Sequence, residues 1–306
     1  MQNDWKAAVG VILVGFVLCA ACAPPRPAET PAPNPNPGTT QVNPIDGLTY
    51  VWIPAGKFTM GCSPGDGDCT SDEEPAHPTD IPDGSWMGQT PVTVAAWKRY
   101  RAATGAKPLE TSEDEWTHLN EAEGNDNLPV VLVNSLAADD FCKWAGGGLP
   151  SEDHWEYAAR AGSTGPRYGD LEAIAWYVEN SGKRRLNFAG LVPYSDSYKK
   201  RLYQNGNRPH PVAEKAPNAW GFYDMLGNVA QLTRTTRVTF SDGGMQVAFE
   251  DGYRGCSWFD APKNCRVSWR PDKISRQLTD LVGFKTIGFR CEIGSGSFPK
   301  PKPAGR

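Results

Sequence analysis

The sequence predicts a loop-rich globular domain built from short helices and short strands. Gly (32) and Pro (27) are both abundant in a chain of 306 residues, which breaks up long regular elements. Eleven tryptophans point to aromatic packing as the compensation. The apolar periodicities that do occur are brief, and each is soon closed by glycine or a turn. With 39% apolar and 22% charged residues the chain can bury a core, and one domain is the simplest count. The net charge of −4 and the lack of a Lys/Arg-rich run give no reason to expect nucleic acid as a partner.

The first 22 residues read as an export signal. One Lys precedes the apolar run Ala7 to Ala21, which is too short for a comfortable membrane span and ends in small residues. The sequence Leu18-Cys19-Ala20-Ala21-Cys22 resembles a bacterial lipoprotein processing site, with Cys22 as the lipidated residue; a plain secretory signal cut nearby is the alternative. No Asp follows Cys22, so the outer membrane is the expected destination. Six cysteines remain beyond the leader, an even number expected to form disulfides in an oxidising compartment. Residues 23–44 are Pro-rich and nearly free of apolar side chains, a tether expected to stay unfolded. Residues 294–306 read as a disordered tail, which leaves 45–293 as the folded domain.

Within it, Tyr50 to Pro54 and Lys57 to Met60 read as two short strands. Cys62 and Cys69 close a Gly/Asp-rich loop, so a local disulfide is expected. The acidic run Asp72-Glu73-Glu74 reads as a solvated loop, with a cation site as the alternative. Val94, Trp97 and Arg101 are spaced for an amphipathic helix over 90–104, stopped by Gly105. Leu128 to Val133 reads as a short buried strand. Asn134 or Ser135 caps a helix to about Ala145, and Ser151 caps a third over Glu152 to Ala161. Residues 162–217 read mostly as loop, with 187–207 a surface insertion. Gln246 to Tyr253 and Cys265 to Arg270 read as strands.

Seven collinear motifs run through this domain: PAGKFTMGC (54–62), TPVTVAAWKRY (90–100), the stretch 129–162 ending EDHWEYAARAG, PNAWGFYDMLGNV (217–229), RGCSW (254–258), CRVSWR (265–270) and GFRCE (288–292). Together they resemble the formylglycine-generating enzyme family, the sulfatase-modifying factors. The resemblance implies an α+β, C-type-lectin-like fold of low regular content. It also implies a disulfide between Cys142 and Cys291.

Active members of that family oxidise a sulfatase cysteine to formylglycine with O₂, copper(I) and two nearby cysteines; thiolate is the ligand chemistry copper(I) requires. Here the first catalytic position falls at about Asp260, which is no soft ligand. Cys256 and Cys265 are therefore either a displaced copper or redox pair, or a structural disulfide. The disulfide is preferred, because Cys256 sits before the place of the reactive thiol. The resemblance also implies a calcium site at Asp224, the carbonyls of Gly227 and Val229, and Gln231, weakened because Gln231 replaces a glutamate; alternatively Asp224 and Asn228 simply bond the turn. The four histidines (77, 118, 154 and 210) show no paired spacing for a metal.

Two functions are open. One is an envelope lipoprotein, catalytically degenerate, that binds a peptide, envelope protein or glycan along a groove containing Trp258, Asp260, Trp269 and Arg270. The other is a copper-dependent oxidase that modifies a target cysteine, with Cys265 or Cys256 as a free thiol.

Overall fold

The strand β2 (Thr49–Ile53) reads TYVWI and is buried at every position after the first. It lies inside a four-stranded antiparallel sheet ordered β1 (Thr40–Val42), β2, β5 (Ser85–Gly88), β9 (Glu292–Gly294). Strands covered on both faces read as unbroken apolar runs, which is why β2 and β5 do not alternate. The structure, a computed structural model, describes residues 34–107, 120, 124–188, 192, 195–241, 244–271, 284–296 and 298–300, with the backbone alone over 235–241 and 244–250. The leader, Cys22, His118 and the end of the tail lie outside the described residues. The described residues all fall in one compact unit, Asn34–Arg306.

A hairpin of β3 (Gly56–Met60) and β4 (His77–Ile81) forms a second sheet. The third joins β6 (Ala230–Ser241) and β7 (Gly244–Arg254) in a long antiparallel ribbon, with β8 (Ile287–Phe289) parallel to the root of β6. The helices α1 (Val94–Thr104) and α2 (Ser135–Ala145) are capped by Thr93 and Asn134, whose side chains accept from Ala96 N and Ala137 N. Both end on a left-handed glycine, Gly105 and Gly146. Helix α3 (Glu152–Arg160) follows Ser151, whose side chain makes no capping bond. Two further helices, α4 (Leu171–Ile174) and α5 (Asp196–Asn205), lie in the region expected to be loop.

Several expectations are corrected. Residues 128–133 make no strand, although 129–133 are buried; Thr93 and Pro129 form only an isolated bridge. Residues 265–270 turn after a short 3₁₀ helix (Pro262–Asn264), and their alternation reflects burial of Arg266 and Ser268 rather than a ladder. The domain is also wider than 45–293. β1 adds an edge strand before it, Asn43 is fully buried and bonds the Ala145 carbonyl at 2.9 Å, and Phe298 packs on Tyr50 and Trp86 at 5.3 and 5.6 Å. Composition hid these because β1 is exposed at all three positions and Asn43 and Phe298 are single buried side chains in a Pro-rich context.

Apolar side chains gather in two clusters. One centres on Trp97, Phe141 and Phe289; Trp97 stacks on Phe141 at 5.7 Å. The other gathers Trp155, Phe222, Met225 and Trp258. Each holds one disulfide, Cys142–Cys291 in the first and Cys256–Cys265 in the second; Cys62–Cys69 closes the surface loop.

Candidate functional site

The segment 218–232 ties the second cluster together. Asn218 Nδ2 donates to the Ala158 carbonyl at 2.7 Å, and its Oδ1 accepts from the amides of Trp220 and Phe222, both at 3.1 Å. The next turn is left-handed at three positions: Asp224 (φ 53°), Gly227 (φ 82°) and Asn228 (φ 61°). Asp and Asn tolerate that region through local hydrogen bonds, whereas Gly227 is needed for space as well. A Cβ there would stand 2.5 Å from the Trp176 carbonyl oxygen.

The turn does not present a calcium donor set. Gln231 Oε1 already accepts from Trp155 Nε1 at 2.7 Å and Arg290 Nε at 2.6 Å, and its Nε2 donates to the Asp224 carbonyl. The Arg290 guanidinium also donates to the carbonyls of Gly88 and Tyr223, at 2.7 and 2.9 Å. A fixed cation is thus bonded to one of the expected ligand groups, the Gln231 side chain. Asp224 Oδ2 accepts from Ala213 N at 2.8 Å. Burial pushes the Asp224 carboxyl up to about 6, against that bond and the Arg290 charge. One such carboxylate beside an arginine does not fit a hard dication, which needs six to eight oxygens. Among the described residues no group of three His, Cys, Asp or Glu is placed to hold a metal.

A groove of about 490 Å³ opens between the root of the β6–β7 ribbon, β8 and the loop 257–271. Tyr253, Phe259, Trp269 and Ile287 supply apolar walls; Ser257, Asp260, Asn264 and Arg270 supply polar ones. Trp258 does not line it. Only 3% exposed, it faces the core and donates Nε1–H to the Lys285 carbonyl at 3.2 Å. Asp260 braces its own loop: Oδ2 accepts from Ser257 N at 2.9 Å and Ser257 Oγ at 2.6 Å. Cys256 and Cys265 are fully buried behind this loop and joined to each other, so neither offers a thiolate.

The polar walls are fixed from below. Arg270 Nε donates to Glu152 Oε2 at 3.2 Å and Nη1 to the Ser268 carbonyl at 3.1 Å. Burial and the neighbouring Arg254 charge pull the Arg270 guanidinium below its usual range. Arg254 pairs with Glu156, both wholly buried, and Arg160 donates to the other oxygen of Glu156 at 2.8 Å. Arg266 clamps the Cys62–Cys69 loop beside the groove. Its Nη1 and Nη2 donate to the two oxygens of Glu73 at 2.6 and 2.8 Å, and Nη1 also reaches Asp66 Oδ2 at 2.9 Å. Glu73 is therefore a buried ion-pair partner and not part of a solvated acidic run. Burial raises its carboxyl, but the Arg266 and Ser268 bonds outweigh it and hold the group below the usual range. The arginines 254, 266 and 290 were not singled out in the sequence. The available signal was that each stands beside a Cys or Gly within a motif otherwise made of core residues.

Among the described residues at the groove, the Asp260 carboxylate is committed to its own loop and the sulfurs of Cys256 and Cys265 to each other. The model of the sulfatase-modifying factor enzyme 1-like domain matches residues 35–291. The chain is 31% identical over 178 residues to the inactive C-alpha-formylglycine-generating enzyme 2 of Bos taurus, covering 56% of this chain and 52% of that one. It thus spans about half the length of that relative. It is 28% identical over 248 residues to the formylglycine-generating enzyme of Streptomyces coelicolor, covering 68% of this chain and 74% of that one. The solved structure of PvdO from Pseudomonas aeruginosa superposes with a TM-score of 0.59 at 23% identity, over 85% of this chain and 99% of that one, a likeness of fold. By the match across nearly all of the domain, the chain belongs to the sulfatase-modifying factor (formylglycine-generating enzyme) family.

Proposed function

We propose that this protein is an exported, lipid-anchored envelope protein whose groove binds a segment of a peptide, envelope protein or glycan without oxidising it. The observation that carries this reading is the pairing of Cys256 with Cys265, whose neighbours Ser257 and Asn264 line the groove: the two sulfurs are bonded to each other. A fold does not carry its activity once the reacting groups are gone. Tyr253 and Trp269, with ring centroids 6.1 Å apart, supply the flat apolar contacts that peptide side chains and sugar rings both use. Three disulfides mark a chain that matures in an oxidising compartment.

The second reading, a copper-dependent oxidase acting on a target cysteine, is favoured by one feature. Each cysteine adjoins a residue that lines the groove, Ser257 and Asn264, so their reduction would free two soft ligands beside it. Incubation of the purified chain with copper(I), O₂ and a cysteine-containing sulfatase peptide separates the two. The proposal expects unchanged peptide mass; conversion of the cysteine to formylglycine would overturn it.

A further inference from the structure

Two basic triplets, Lys183-Arg184-Arg185 and Lys199-Lys200-Arg201, are short in sequence and line no part of the groove. The fold brings them together. The Lys183 amide donates to the Asn205 carbonyl at 3.0 Å, the Arg184 amide to Asn205 Oδ1 at 3.3 Å, and Asn205 Nδ2 donates to the Arg184 carbonyl at 2.8 Å. Asn205 is the last residue of α5, the helix that carries the second triplet. Arg208 joins them, its amide bonded to the Ser181 carbonyl at 3.2 Å. The result is seven exposed cations against one carboxylate, Asp196, between positions 183 and 208, in a chain whose net charge is −4.

Such a patch costs self-repulsion unless something compensates it. Among the described residues only Arg185 has acidic partners, Glu172 and Glu179, while Arg201 lies over the Phe188 ring at 5.7 Å. An exposed aromatic side chain shares α5 with the second triplet. Tyr203 is 56% exposed and sits three and four positions after Lys200 and Lys199, on their side of α5. A flat amphipathic ring flanked by lysines is the composition of an interfacial contact. Clusters of four to eight Lys/Arg held close to a bilayer favour anionic lipid.

We propose that this face of α5 and the 183–185 loop dock on an anionic phospholipid surface. The choice of lipid over a soluble polyanion rests on the anchored reading above: residues 23–33 alone separate Cys22 from the described domain, a reach of no more than about 40 Å even fully extended. The domain would then stand within its own diameter of the bilayer.

The test is co-sedimentation of the unlipidated mature chain, residues 22–306 carrying Cys22→Ser, with phosphatidylcholine vesicles and with vesicles containing about 30 mol% phosphatidylglycerol. The expected result is about ten-fold or greater preference for the anionic vesicles, lost at high salt. The Lys199→Glu/Lys200→Glu variant should weaken binding by about ten-fold or more with an unchanged melting temperature, and Tyr203→Ser should weaken it several-fold. Equal affinity for neutral vesicles, or unchanged binding by the charge-reversed variant, would overturn the proposal. So would patch-dependent binding to heparin or an acidic protein without vesicle binding. Trp269→Ala should leave vesicle binding intact, and the mass of Cys22 in the native protein reports the anchor separately, so failure of the groove or anchor reading remains distinct.

Discussion

Arg290 donates its Nε–H to Gln231 Oε1 at 2.6 Å, and Trp155 Nε1 donates to the same oxygen at 2.7 Å. All three side chains are buried. Gln231→Ala would strand an indole N–H and one arm of a buried guanidinium. We expect a loss of about 3 kcal/mol, measured by urea denaturation. Because that amide is saturated, neither calcium nor EDTA should move the wild-type melting temperature by more than about 1 °C; a saturable rise with calcium would show that the turn holds the ion after all.

Arg266 joins the Cys62–Cys69 loop to the loop that follows the groove. Removing one partner of a buried ion pair leaves an uncompensated charge, so Arg266→Ala should cost about 4 kcal/mol. It should also expose the loop at 62–76 to limited proteolysis under native conditions. An unaltered digestion pattern would mean that the disulfide alone holds the loop.

His154 Nδ1 contacts Glu292 Oε1, which also accepts from Ser85 Oγ. Burial lowers the imidazole, but the Glu292 bond and charge, with Asp153, outweigh it and raise it above its usual value. A group raised on folding contributes stability fully present below about 6.5, lost as the pH climbs through its folded value. Asp46 and Asp224, which burial pushes to about 6, lose their contribution between about pH 4 and 6, mostly below that climb but with a tail reaching into it. The informative quantity is therefore a difference. Between pH 6 and 8.5 the wild type should lose more stability than His154→Asn; parallel curves would remove His154 from the account.

Cys142 and Cys291 are separated by 149 positions and tie α2 to the segment between β8 and β9. In the chain-entropy estimate a loop of that length contributes about 5 kcal/mol. Cys142→Ala/Cys291→Ala should show a loss of that order in urea. A loss below about 1 kcal/mol would indicate that the first core holds the two ends together without it.

The helix over 135–145 was legible from its Asn134 cap and apolar spacing, both local; those over 94–104 and 152–160 were legible from spacing alone, since the first starts at Val94 after a Thr93 cap and not at Thr90, and Ser151 makes no capping bond. The tie between 218–232 and α3 was legible only as a density of turn residues and aromatics; its mechanism, Asn218 bonding the Ala158 carbonyl, is not a pattern. What could not be read depends on partners distant in sequence. Glu73 looked like one carboxylate of an exposed run until Arg266 was placed against it. Gln231 reads as a weakened ligand, and its bond from Arg290 is not visible in the local pattern. Trp258 looked like a groove wall because aromatic density does not distinguish floor from wall. The basic patch was invisible because neither triplet is long; α5 makes it one surface.

The sulfurs of Cys256 and Cys265 are committed to each other. Intact mass of the mature native protein after alkylation without reductant tests this directly. The account predicts no added label on Cys62, Cys69, Cys142, Cys256, Cys265 or Cys291. Label on both Cys256 and Cys265, with copper(I) binding that the alkylation abolishes, would contradict it and favour the oxidase.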